Sequence, residues 1–334
     1  MIETISNGLL PVAFVIVLGW LSGRLGLLQH ADARVLATVV VRFALPLALF
    51  EGAVKTSPDK LNNVGLALTL TFGLMGTYLI ALLVGRFVFR HNLKTATMQA
   101  LVCAYPDMAY FGAPILAAMF GPEGFLAVLI GNLITSLFML PLTIVLTRLS
   151  GQSAESASVT GRAGGGRLVA AGAPLEATRN NMSAVLIRSL IGAVMNPIVW
   201  VPLSGAILSF CHISLPGPVF ASIDMIGKAA GGASLFALGL MLYGEAFRIN
   251  KNVLANLGLK NFLQPALMLL ACIFFGVKGS SAHQAIITGA VPTATAAAMF
   301  ALKNNAYTAD ATATILASTL LGIVTTGALI AVLS

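Results

Sequence analysis

Apolar runs of about 20 residues dominate the chain, and short polar stretches separate them. A run of that length is what one α-helix needs to cross the hydrocarbon core of a bilayer. No ten-residue segments of alternating polarity occur, so the pattern predicts an all-α membrane protein. We place ten spans, at residues 7–28, 34–54, 63–87, 95–119, 124–147, 184–211, 217–244, 252–276, 281–302 and 309–333.

Proline interrupts the fourth and the ninth span at matching places. One reads Ala-Tyr-Pro106-Asp107 and the other Ala-Val-Pro292-Thr293, and each follows an aliphatic stretch that begins with Gln-Ala. Proline removes a backbone donor and clashes with the preceding turn, so we predict that both helices break inside the membrane. Because lipid cannot satisfy the freed backbone groups, the breaks should line a cavity walled by protein. Paired breaks of this kind indicate the binding site of a secondary transporter, whereas the alternative reading is two ordinary proline kinks.

One long polar stretch, residues 149–182, divides the spans into five and five. It is rich in Gly, Ala and Ser, which is typical of a flexible linker, and we place it in the cytoplasm. Residues 1–148 and 183–334 then form two five-helix repeats. Because five is odd, the second repeat enters the membrane from the opposite side, which predicts an inverted repeat.

The composition supports a multi-pass membrane protein. Of the 334 residues, 58% are hydrophobic and 9% are charged, whereas soluble proteins carry about 25% charged residues. Thirteen of the 19 Lys and Arg residues fall on one side of the predicted spans and three on the other, which predicts that both termini lie outside the cytoplasm. The expected location is the cell (inner) membrane. The net charge of +8 requires no nucleic-acid partner, and the three cysteines have no metal-ligand spacing, so we expect no metal and no cofactor.

Six short motifs, most of which contain proline, lie along the spans. They are Leu10-Pro11, Phe43-Ala-Leu-Pro46, Gly112-Ala-Pro114, Asn196-Pro197, Phe236-Ala-Leu-Gly239 and Ala290-Val-Pro292. In order and spacing they resemble the auxin efflux carrier family, and in particular its bacterial members of the malonate-transporter type. The resemblance implies two inverted five-helix repeats, in which the broken spans 4 and 9 cross. It also implies a scaffold of spans 1, 2, 6 and 7, through which two copies form a homodimer. Plant members carry Asn where this chain has Asp107.

Asp107 is the strongest candidate for chemistry, because an ionisable group inside the membrane is costly. It directly follows Pro106, where its carboxylate can accept from the N–H groups of the next half-helix. One reading is a carboxylate that carries a coupling proton, and the other is a structural cap on the broken helix. The candidate substrate-binding residues are Pro106, Asp107, Pro114, Asn132, Pro292, Thr293, Thr295 and Arg42.

Three basic residues fall within predicted spans. Arg42 lies eight residues into span two, so it is the candidate to hold a carboxylate substrate. Lys228 follows Asp224 by four residues, which predicts an internal ion pair on one helix face. Lys260 lies about two turns into span eight, where snorkelling to the membrane surface is as good an explanation as function.

Together these features predict a secondary active transporter for a small organic anion, a mono- or dicarboxylate such as malonate. The expected mechanism is alternating access, coupled to protons or to sodium. The alternative is a gated channel or uniporter for small organic anions, because broken helices also build filters. We find no constellation of an intramembrane enzyme, such as His-Glu-x-x-His or Gly-x-Ser-x-Gly, so we do not expect catalysis.

Overall fold

The computed structural model describes residues 2–55, 63–160, 191, 195, 197–213, 215–243 and 249–333. Within these ranges the regular secondary structure is helical, apart from one isolated antiparallel bridge between Pro106 and Thr293. The predicted all-α class is therefore confirmed.

Fifteen α-helices can be described in these ranges. In chain order they are α1 (Ile2–Arg24), α2 (His30–Val39), α3 (Leu45–Lys55), α4 (Val64–Leu83), α5 (Leu93–Ala104), α6 (Ala113–Phe120), α7 (Gly124–Ile134), α8 (Leu140–Thr160), α9 (Pro197–Phe210), α10 (Gly217–Leu242), α11 (Lys251–Leu257), α12 (Gln264–Phe275), α13 (Gly279–Ala290), α14 (Thr295–Lys303) and α15 (Thr308–Leu333). Wider π-helical turns adjoin several of them, at Val40–Ala44, Val84–Val88, Met108–Gly112, Thr135–Met139 and Gly258–Leu263.

Six stretches of continuous helix are long and apolar enough to cross a membrane. They are Ala31–Lys55, Val64–Val88, Met108–Ser150, Gly217–Leu242, Lys251–Phe275 and Thr308–Leu333. Two shorter apolar helices, Ala13–Arg24 and Pro197–Phe210, accompany them. The chain is thus a multi-pass membrane protein, while the count of ten spans stays a prediction.

The helices pack in two groups. In the first, α1 and α3 both pack against α10, and α9 packs against α3. In the second, α4 packs against α5 and α12, and α13 packs against α12 and α15. The short helix α7 touches α3 and α9 on one side and α4 on the other, so it lies between the groups.

Close backbone approach holds α1 against α10. A Cβ atom on Gly239 would lie 1.9 Å from the carbonyl oxygen of Ile16, and one on Gly19 would lie 2.1 Å from that of Phe236. Only glycine leaves room for such an approach, which brings two membrane helices into van der Waals contact along their backbones. The Phe236-Ala-Leu-Gly239 motif therefore has a packing explanation.

Helix α8 extends beyond its predicted end. It continues to Thr160, into the stretch predicted as a linker from residue 149. The remainder of that stretch, residues 161–182, lies outside the described residues.

Candidate functional site

The two interrupted segments meet and pair with each other. Helix α5 ends at Ala104 and α13 ends at Ala290, and the residues that follow are extended rather than helical. The amide of Asp107 donates to the carbonyl oxygen of Pro292 at 2.8 Å, and the amide of Ala294 donates to that of Tyr105 at 2.9 Å. Each break thereby satisfies backbone groups of the other, as buried polar groups require.

Hydroxyl side chains fix this pairing to the neighbouring helices. The Thr293 hydroxyl donates to the carbonyl oxygen of Val102 at 3.0 Å, and its amide donates to the Ser318 hydroxyl at 3.2 Å. The Thr326 hydroxyl donates to the carbonyl oxygen of Ala290 at 3.1 Å. These bonds join the end of α5 and the end of α13 to each other and to α15.

Asp107 caps the half-helix that follows the first break. Its carboxylate accepts from the amide of Tyr110 at 3.1 Å, and the side chain is only 3% exposed. A carboxylate at this end is favoured by the oriented N–H groups of the helix. The second half-helix differs, because Ala294 at its start provides no side-chain cap. The half-helix after the first break therefore has a protein carboxylate at its N-terminus, whereas α14, after the second break, has none.

A cavity of about 630 Å³ opens at the two breaks. Tyr105, Pro106 and Asp107 line it from the first break, and Ala294, Thr295 and Ala296 line it from the second. Asn132 of α7 also reaches it. Arg34 of α2, Leu302 near the end of α14 and Thr308 at the start of α15 also line it, and the exposure of Arg34 and Leu302 places this side at its rim. The uncapped N-terminus of α14 thus faces open space.

A second cavity, of about 490 Å³, lies toward the other end of α10. Its lining includes Pro114, Glu51 and Lys55, whereas the first cavity reaches α10 at Met241 and Leu242. Along α10 the linings stop at Leu235 and resume at Met241, which is about 9 Å of helical rise. The wall between the cavities is thin.

In this wall a side-chain hydrogen bond joins α10 to the first broken span. The Ser234 hydroxyl donates to the carbonyl oxygen of Tyr110 at 3.2 Å. Tyr110 lines the first cavity, and Ala113 only three residues later lines the second. About one turn of the broken helix therefore separates the two openings.

The structure brings some of the predicted site residues together and separates others. Pro106, Asp107, Asn132 and Thr295 line the first cavity, and Pro292 and Thr293 are buried in the pairing behind it. Pro114 lines the second cavity. Arg42 is exposed and lines neither one.

The structure also settles the position of the two other basic residues within predicted spans. Lys228 does pair with Asp224, at 2.6 Å, but its side chain is 74% exposed, so the pair is not internal. Lys260 does not snorkel, because its side chain is completely buried. Its ammonium donates to the Gln264 side-chain oxygen, and Gln264 in turn donates to the carbonyl oxygen of Ala104 at 2.9 Å.

The sequence pattern was used to predict a possible role for Lys260, but not for its partner Gln264 or for Arg34 at the cavity rim. The signal for Gln264 was present, because Asn256, Lys260 and Gln264 are spaced by four residues and so share one face of span eight. All three are completely buried. No comparable signal marks Arg34, because a basic residue at a span end is ordinary.

The long apolar helices indicate a multi-pass membrane protein, and its two paired helix breaks line a cavity. Comparison with known proteins agrees, because residues 4–330 match the family model described as "Membrane transport protein". The chain belongs to this family, and its resemblance to the auxin efflux carriers is confirmed.

Relatives cover nearly the whole chain. It is 26% identical over 324 residues to "Uncharacterized transporter YfdV" of Escherichia coli (strain K12), a match that covers 96% of this chain and 95% of that protein. It is 25% identical over 328 residues to the "Putative malonate transporter" of Rhizobium meliloti (strain 1021), with 96% and 93% covered. "Auxin efflux carrier component 3a" of Oryza sativa subsp. japonica matches over 101 residues at 29% identity, which covers 29% of this chain and 16% of that protein.

Proposed function

We propose that this protein is a secondary transporter that carries a small organic anion, a mono- or dicarboxylate such as malonate, across the cell membrane by alternating access. The observation that carries this proposal is the uncapped N-terminus of α14 at the cavity. Oriented N–H groups at a helix start attract anions, and the Thr295 hydroxyl adds a donor beside them. A substrate carboxylate there would match the Asp107 carboxylate at the other half-helix.

The two cavities supply the second argument. One turn of helix separates them, so a small movement of the broken spans against α10 would close one opening and open the other. The basic residues assign the rim at Arg34 and Thr308 to the cytoplasmic side, so the form described would be open inward, with both termini outside. In this proposal the two halves are inverted repeats and their broken spans are crossover helices.

Malonate is the proposed substrate on two grounds. The name of the Rhizobium meliloti relative includes malonate. A short dicarboxylate also presents two anionic groups, one for the α14 N-terminus and one for a donor such as the Asn132 side-chain amide, whose nitrogen has no hydrogen-bond partner among the described residues.

Coupling is assigned to Asp107. It is a buried carboxylate that lines the first cavity, six residues before Ala113 of the second, so a small movement of the broken spans would expose it first to one side and then to the other. Two copies would associate through the group that contains α1, α3, α9 and α10.

Ligand-induced stabilisation tests the substrate class. Purified protein is heated with a panel of mono- and dicarboxylates, neutral analogues and organic cations, and the unfolding temperature is recorded. Short carboxylates should raise it in a saturable manner, because a ligand that binds only the folded state stabilises it. Stabilisation by neutral or cationic solutes and by no carboxylate would contradict the proposal. Counterflow in proteoliposomes then separates a carrier, which shows it, from a channel, which does not.

A further inference from the structure

Lys260 and Asp107 are the two charged side chains that are buried, among those whose burial the structure describes. Lys260 is completely buried and Asp107 is 3% exposed. A charge inside a membrane protein is costly unless another group compensates for it. Among the described residues neither side chain forms a direct ion pair, so these two opposite charges are the ones available to balance each other inside the protein.

The ammonium of Lys260 lies near the end of α5. Its hydrogen-bond partner among the described residues is the Gln264 side-chain oxygen. Gln264 then donates to the carbonyl oxygen of Ala104, the last residue of that helix. The C-terminal end of a helix carries partial negative charge, so a cation is stabilised there. In transporters with broken helices, such ends are where a coupling cation is coordinated.

We propose that Lys260 is the resident cation of the site, a positioning residue whose ammonium takes the place of a coupling metal cation. This inference rests on the proposed function and narrows it, because it assigns the coupling to protons rather than to sodium. The ammonium balances the Asp107 carboxylate and holds the α5 end through Gln264. Transport should then proceed without sodium.

The surroundings agree with a fixed charge rather than a surface lysine. Gln264, one turn later on the same face, fixes span eight to the carbonyl oxygen of Ala104 at 2.9 Å. Asn256, one turn earlier on the same face, is fully engaged with Gln99, Tyr307 and other polar groups. The polar face of span eight is therefore buried in the second helix group, and the Lys260 side chain does not extend to the membrane surface.

Thermal unfolding tests the charge balance without any substrate. Lys260→Gln and Asp107→Asn should each lower the unfolding temperature by about 5 °C or more, because each leaves one buried charge unbalanced. The double variant should recover a large part of that loss. Lys251→Gln, an exposed lysine at the start of the same span, is the matched control and should change little. Losses that simply add in the double variant would overturn the proposal.

Uptake in proteoliposomes tests the cation itself. Wild-type protein should take up malonate at the same rate, within about twofold, when choline replaces sodium. Lys260→Ala should reduce the rate of malonate uptake by at least about tenfold. Added n-propylammonium, which carries the atoms that the substitution removes, should restore part of that rate. Sodium-dependent uptake by wild type, or Lys260→Met transporting at the wild-type rate, would refute the role of the ammonium. If wild type takes up no carboxylate at all, the proposed function fails, and the unfolding temperatures still decide whether the two charges balance.

Discussion

The amide of Asp107 donates a hydrogen bond to the carbonyl oxygen of Pro292, 2.8 Å away and 185 residues later in the chain. This bond joins the two proline breaks directly. The Asp107 side chain meanwhile caps its own half-helix. One residue thus links both interrupted spans and places a carboxylate at the cavity, so its backbone and its side chain have separate roles that mutation can separate.

The Thr293 hydroxyl should stabilise the paired breaks rather than bind substrate. It is buried and donates to the carbonyl oxygen of Val102. Thr293→Val keeps the shape and leaves that carbonyl unpaired, so the free energy of unfolding should fall by about 1–3 kcal/mol. Thr293→Ser keeps the donor and should cost less. Denaturant titration of both variants checks this, and equal losses would show that the hydroxyl is not what stabilises the pairing.

Gly239 should be intolerant of any side chain. A Cβ atom there would overlap the carbonyl oxygen of Ile16, so Gly239→Ala must push α1 away from α10. We expect a loss of about 3 kcal/mol or a failure to accumulate in the membrane. Gly232→Ala lies on the same helix, where a Cβ meets no neighbour, and is the matched control. Size-exclusion chromatography of both variants measures the effect, and equally well-behaved proteins would contradict the close approach.

Arg34 and Arg42 offer a comparison within one predicted span. Both are exposed, but only Arg34 lines the cavity at the breaks. A cation at the rim raises the local concentration of anions, and salt screens that effect. Arg34→Gln should therefore slow substrate uptake by about threefold at low ionic strength and less at high salt. Arg42→Gln should leave uptake unchanged. Slower uptake by Arg42→Gln and unchanged uptake by Arg34→Gln would contradict the entry of substrate through the cavity that Arg34 lines.

Much of the fold could be predicted because helices that cross a membrane need long runs of apolar residues, and such runs are visible in the sequence. The apolar runs gave the all-α class, and proline chemistry located both interruptions, where α5 and α13 end. The hydrogen-bond partners that the buried side chains find on other helices could not be predicted. That Thr293 contacts Val102 and Ser318, or that Lys260 turns inward rather than toward the surface, depends on packing between distant segments, which spacing within one helix does not specify. Arg42 illustrates the same limit, because its depth in the sequence gave no information about the face it occupies.

Asp107→Asn tests the central claim most directly. The substitution keeps the size of the side chain and an oxygen that can accept from the Tyr110 amide, while it removes the titratable proton. Asp107→Ala, which also removes the cap, serves as the comparison and should impair every transport mode.

The decisive measurement is malonate uptake by reconstituted protein under an imposed proton gradient, alongside malonate exchange with no gradient. Wild type should accumulate malonate with a clear dependence on pH. Asp107→Asn should lose at least about tenfold of the gradient-driven uptake and all of its pH dependence, while exchange continues. Asp107→Asn protein that still accumulates malonate with the wild-type pH profile would contradict the account and leave the carboxylate as a structural cap.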